Sequence, residues 1–237
     1  MEYCLHIGCY GQGSCSAVVT LDIERAYRLL TYQRNESVPE HIFPSVALKD
    51  VTLMDFSAPE YYGGVLFLNG TNTLSVENVK FISNQALVGG AIYVNDNFAG
   101  SVTIANCVFN GMSADSGGAV YIHYNVSGFS MTDSVCMNAF AGDSGGCIYA
   151  SEHNNMMYMS GNNFTHCTAQ AAGGAVYIGY KNNNLTLQNS VFRRTYAAFS
   201  GGAIKLDSSN DFVTFDALSI DDCLESNTIS GTGGGIA

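Results

Sequence analysis

The strongest grouping for bond-breaking chemistry lies late in the chain, where Arg193, Arg194, Lys205, Asp207, Asp221 and Asp222 recur within a short stretch. Hydrolysis of a glycosidic bond needs two carboxylates across it, and elimination at a uronate needs a base with cations that neutralise the sugar acid. Arg193, Arg194, Asp207, Asp221 and Asp222 therefore form the candidate site of a polysaccharide lyase or glycoside hydrolase. A second acidic pair, Asp115 and Asp143, stands 28 residues apart, but Ala171 breaks its continuation. Each precedes a glycine pair closely, a position that suits turn capping or weak calcium binding better than catalysis. No catalytic residue, cofactor or metal centre is assigned from these positions.

Recognition chemistry is better represented. Tyr93, Tyr121, Tyr149 and Tyr177 recur at a fixed step, and Lys205 takes the next place. On one outward face these rings would make an apolar stripe about 15 Å long. Such a stripe serves either as a platform for sugar rings or a partner protein, or as cross-strand stacking that supports the register. The opposite assignment of faces would bury the rings. Cys4, Cys9 and Cys15 follow no familiar zinc spacing, and disulfides that tie down the N-terminal segment are open to them. Cys107, Cys136, Cys147, Cys167 and Cys223 occupy places where equivalent segments carry Ser, Phe, Ala or Asn, and they read as buried, space-filling thiols. His123 and His153 fall at variable loop tips. Sequons for N-glycosylation occur at Asn35, Asn69, Asn125, Asn163 and Asn184.

The elements that position these residues come from a repeat. Glycine pairs stand at Gly63-Gly64, Gly89-Gly90, Gly117-Gly118, Gly145-Gly146, Gly173-Gly174 and Gly201-Gly202, at steps of 26 and then 28. "GGGI" at Gly233–Ile236 follows after 32. Phe81, Phe109, Cys136, Phe164 and Phe192 run in phase with the pairs, and runs such as "SVTIANCVF" alternate with strand period. A repeat of this length without helix or leucine spacing excludes ankyrin, tetratricopeptide and leucine-rich architectures. It fits one coil of a parallel β-helix with two or three strands per turn, right-handed by the crossover preference. Ile92, Val120, Ile148, Val176 and Ile204 then face the interior, and the tyrosines face outward.

Residues 1–45 lie outside the repeat. Within them, "TLDIERAYRLLTY" places Ile23, Ala26, Tyr27 and Leu30 on one helical face, which predicts a short amphipathic cap over the first coil. The expected organisation is all-β: a capping segment over 1–45 and a right-handed parallel β-helix of about seven coils over 46–237. The chain stops within a repeat motif and reads as a fragment, with a signal or anchor expected in missing flanks. Net charge is −11 with only nine Lys and Arg, so nucleic acid is excluded as a partner. No apolar run is long enough for a transmembrane helix.

The motif "GGA[ILV]", intact at Gly89–Ile92, Gly117–Val120, Gly173–Val176 and Gly201–Ile204, resembles the repeat of chlamydial polymorphic outer-membrane proteins and related protist surface proteins. That family's FxxN motif survives at Phe81–Asn84 alone. The resemblance covers about residues 46–237 and implies a β-helix displayed at the cell surface or secreted. Its role there would be adhesion to a host-cell or glycan surface, or to a partner protein. The family's C-terminal membrane barrel is absent from these residues. Many lyases and hydrolases of the pectate-lyase-like class share the β-helix, so the enzymatic alternative stands beside the adhesin, without the "GHG" of polygalacturonases.

Overall fold

The computed structural model describes residues 30–32, 45–69, 73–96 and 100–225. Within them the chain is all-β, and the strands wind into a parallel β-helix. Each coil contributes four short strands, exemplified by Ile92–Val94, Ser101–Ala105, Val108–Asn110 and Ser113–Ala114. Equivalent strands of successive coils pair in parallel, giving four sheets of seven strands. We call these, in chain order, the tyrosine, broad, phenylalanine and narrow sheets. The seventh glycine motif and Cys4, Cys9 and Cys15 lie outside the described residues. So does the expected cap helix, apart from its last three positions. Leu30–Tyr32 is a strand that pairs with Leu66–Leu68, so Leu30 belongs to the tyrosine sheet and not to a helical face.

Four strands per coil require four corners, and a left-handed residue stands at each, with Asn125, His153, Lys181 and Ser209 at the one between the tyrosine and broad strands. Gly63, Gly89, Gly117, Gly145, Gly173 and Gly201 turn the narrow strand into the tyrosine strand, with φ between 59° and 68°. Asn78, Asn106, Asp133, Gly161 and Asn189 turn the broad strand into the phenylalanine strand, and Ser83, Gly111, Asn138, His166 and Arg194 make the next corner. Asparagine and aspartate reach this region at modest cost because their short polar side chains bond locally. These two corners divide a run that reads as continuous strand, and they raise the expected two or three strands to four.

The second glycine of each pair answers a different demand. A Cβ on Gly146 would lie 2.8 Å from both the backbone nitrogen and oxygen of Thr168, and closer still to the carbonyl oxygen of Gly174. No side chain fits where two coils approach this closely.

The interior is a set of columns. Ile92, Val120, Ile148, Val176 and Ile204 are fully buried, as expected. Phe81 stacks on Phe109, and Phe164 on Phe192, each at 4.8 Å between ring centroids. In the narrow sheet the buried side chains are a row of alanines, from Ala58 to Ala197. Polar columns sit at the corners. The Asn154 and Asn182 side-chain oxygens accept from the backbone of Val126 and Asn154 at 2.8 Å, and their amides donate to the carbonyls of His123 and Ser151. Asn84, the asparagine of the FxxN motif, satisfies the Phe56 amide and the Leu53 carbonyl in the same way. Buried corner backbone is thereby paired one coil along, which a buried amide requires.

Candidate functional site

The tyrosine ladder lies on the outward parity. Strand pairing sets Phe67, Tyr93, Tyr121, Tyr149, Tyr177 and Lys205 in one row. Ring centroids stand 5.4, 5.3, 4.8 and 4.6 Å apart from Phe67 to Tyr177, with planes within 15° of parallel. Neighbouring rings therefore occupy each other's faces. What reaches the surface is a row of ring edges and hydroxyls, and Tyr93 is 3% exposed. Tyr62, from the narrow sheet, also stacks on Tyr93, at 4.9 Å.

The phenols are correspondingly hard to ionise. Burial pushes Tyr93, Tyr121, Tyr149 and Tyr177 above the ordinary tyrosine range, and the Tyr177 hydroxyl also donates to the Asp207 carboxylate. Lys205 turns its ammonium to Asp207, 3.9 Å away. The Lys205–Asp207–Tyr177 cluster thus anchors the last ring of the row.

The late charged grouping does not converge. Arg193 and Asp221 pair at 3.4 Å on the phenylalanine sheet, and Arg194 and Asp222 at 3.8 Å on the adjoining corner. All four side chains are exposed. Asp207 follows the tyrosine strand and is engaged with Tyr177 and Lys205. Asp115 and Asp143 are exposed at the narrow-to-tyrosine corner, where the Asp143 amide donates to the Asp115 carbonyl at 2.6 Å. His123 leans against Tyr93 and Tyr121 and faces the Asp96 carboxylate. Among the described residues, no group of three His, Cys, Asp or Glu is placed to hold a metal ion.

One cysteine expectation is overturned. Cys136 and Cys147 form a buried disulfide across the coil interior. Cys136 takes the slot of Phe109 and Phe164, and Cys147 takes the slot of Ala119 and Ala175. Both slots face the lumen, so changing them in the same coil brings two sulfurs together where a ring and a methyl otherwise meet. That simultaneous break in two otherwise uniform columns is the signal the spacing alone does not carry. Cys107 and Cys167 are buried free thiols as expected, and burial pushes the Cys167 thiol up to about 12. Cys223 is free and half-buried.

Apart from Met54 on the phenylalanine sheet, the large exposed apolar side chains of the described residues fall on two flanks. On the narrow sheet and its corner stand Tyr61, Tyr62, Phe140, Phe199 and Leu224, with Tyr196 between Phe140 and Leu224 in the same row. Where the tyrosine strand gives way to the broad sheet stand Tyr124, Met156, Tyr158, Tyr180 and Phe212. Phe199 is 61% exposed and Phe212 78%. No family model, curated protein or solved structure matches the chain.

Proposed function

We propose that the chain is a non-catalytic interaction module of a cell-surface or secreted protein, and that it docks a partner protein through its narrow-sheet flank. The observation that carries this reading is the set of exposed side chains Phe140, Phe199 and Leu224, with half-buried Tyr196 next to Leu224 and Thr168 next to Phe140 in the same row, on a frame whose backbone is tied from coil to coil. Large aromatic side chains held rigidly outward lose little freedom on contact and anchor interfaces well. The strands of this flank and its glycine corner carry Glu60, Asp115, Asp143 and Glu225 and no Lys or Arg, while Arg194 at the preceding corner is paired with Asp222, which favours a neutral or basic partner over an acidic polysaccharide. The Cys136–Cys147 disulfide supports an oxidising compartment, as a surface or secreted protein meets. The resemblance to polymorphic outer-membrane repeats points to the same role.

The test is binding of the purified chain to candidate host cells, beside a double variant, Phe140→Ser with Phe199→Ser. Both side chains are largely outside the core, so the melting temperature should hold while binding weakens about tenfold or more. Unchanged binding would remove this flank from the interface. Loss confined to glycosidase-treated cells would move the partner from protein to glycan.

A further inference from the structure

The second exposed flank has a different explanation. We infer that Asn125, Asn163 and Asn184 carry N-linked glycans. The inference rests on the reading of the chain as a secretory-route protein. The three stand in the sequons Asn-Val-Ser, Asn-Phe-Thr and Asn-Leu-Thr, and all three are exposed. The buried asparagines Asn84, Asn154, Asn162 and Asn182 carry none. The contrast is sharpest side by side: Asn162 is 1% exposed and bonds the Met131 carbonyl inside the coil, whereas its neighbour Asn163 projects from the phenylalanine sheet.

Each acceptor amide is compatible with substitution at its nitrogen. Thr165, the hydroxyl residue of its sequon, donates to Asn163 Oδ1 at 2.9 Å and so engages the oxygen end of the amide. Asn184 Nδ2 donates to Asn155 Oδ1 at 2.8 Å. A glycosylated amide keeps one N–H, so that bond survives. Asn125 and Asn184 hold left-handed backbone, at φ of 55° and 53°, at positions that project side chains away from the coil.

The surroundings of Asn184 point independently to a covering group. Met156 and Phe212 occupy the equivalent position one coil on either side, about 5 Å away along the axis. They are 55% and 78% exposed. A first sugar with its acetyl methyl and apolar ring face, seated on Asn184, lies over both. None of the three acceptors lies on the narrow-sheet flank, so the glycans leave the proposed docking side open.

The transfer is balanced without redox chemistry. The Asn carboxamide nitrogen bonds to the anomeric carbon of a lipid-diphosphate oligosaccharide donor, the carbon–oxygen bond to the diphosphate breaks, and the amide loses one proton. The experiment isolates the tagged full chain from its own cells, alkylates free thiols, and treats peptides with N-glycosidase in heavy-oxygen water. Heavy aspartate at two or more of Asn125, Asn163 and Asn184, with none at Asn84, Asn154, Asn162 or Asn182, is the expected result. Label at fewer than two of the acceptors, with the Cys136–Cys147 disulfide intact, overturns the glycan assignment and leaves the extracellular reading standing. Alkylated Cys136 and Cys147 with no label overturns both.

Discussion

Replacing Gly146 with alanine should injure this fold far more than replacing Gly142 in the same coil. The methyl at Gly146 meets backbone on three sides: the Gly174 carbonyl, and the Thr168 nitrogen and oxygen at 2.8 Å. None of these atoms can rotate away, so the next coil must retreat by roughly 1 Å to reach ordinary van der Waals contact. The same gap is spanned by the amides of Gly145, Gly146 and Cys147, which donate to Ala172, Gly173 and Ala175 at 2.9, 3.1 and 2.9 Å. Overpacking of this kind costs about 1–3 kcal/mol. Each ladder bond lost adds about 1 kcal/mol. Gly146→Ala should therefore destabilise by about 3–5 kcal/mol, lowering the urea midpoint by roughly 1–2 M. At Gly142 the nearest atom to a new Cβ is the exposed Asp115 Oδ1 at 3.2 Å, and that side chain can swing aside. Gly142→Ala should be neutral or stabilising by up to about 1 kcal/mol, through the unfolded chain. Urea unfolding followed by far-ultraviolet circular dichroism reads both. Equal midpoints for the two variants would show that close coil approach is not what the second glycine serves.

Two further outcomes follow from the interior and from the ladder. The Cys136–Cys147 bridge closes a loop with a sequence separation of 11, so Cys136→Ser with Cys147→Ser should cost about 3 kcal/mol by loop entropy, and a thermal melt matching the oxidised parent would contradict it. Stability should hold up to the unfolded tyrosine range near pH 10 and fall above it, because the raised phenols of Tyr93, Tyr149 and Tyr177 stay neutral in the fold while the unfolded chain ionises; a phenolate absorbance change that accounts for all 14 tyrosines at an unperturbed midpoint while circular dichroism stays native would refute this.

The glycine corner was legible because one residue type makes that turn six times in the described chain, and only glycine satisfies it. The aliphatic and tyrosine parities were legible for a related reason: identical side chains stack in every coil, and a one-residue slip would exchange core for surface. The remaining corners were hidden because asparagine shares the left-handed turn there with aspartate, glycine, serine, histidine, lysine and arginine, so no one residue type marks them. The role of the tyrosines was legible only in part. Parity places them outside, but whether their faces or their edges meet the solvent depends on ring planes, which no spacing records. The late charged grouping was misleading in linear order. Asp207 follows the tyrosine strand whereas Arg193 and Asp221 lie on the phenylalanine sheet, and four short strands per coil carry residues close in sequence to different walls. The Cys136–Cys147 pair escaped a reading of spacings because its cue lies across columns.

Parallel strands stacked one coil above another have a mechanical consequence. The hydrogen bonds that join coils run along the long axis, so a pull on the two ends loads them in series, one coil after the next. Such a rod peels at modest force and pays out chain in steps of one coil, which would let an attachment yield gradually under flow. The coil that holds Cys136 and Cys147 behaves differently. Its disulfide withholds the enclosed segment from extension, about 30 Å of contour at roughly 3.5 Å per residue. In an oxidising medium that step is shorter than its neighbours, and reduction would restore it, so the middle of the rod carries a covalent stop that responds to its surroundings.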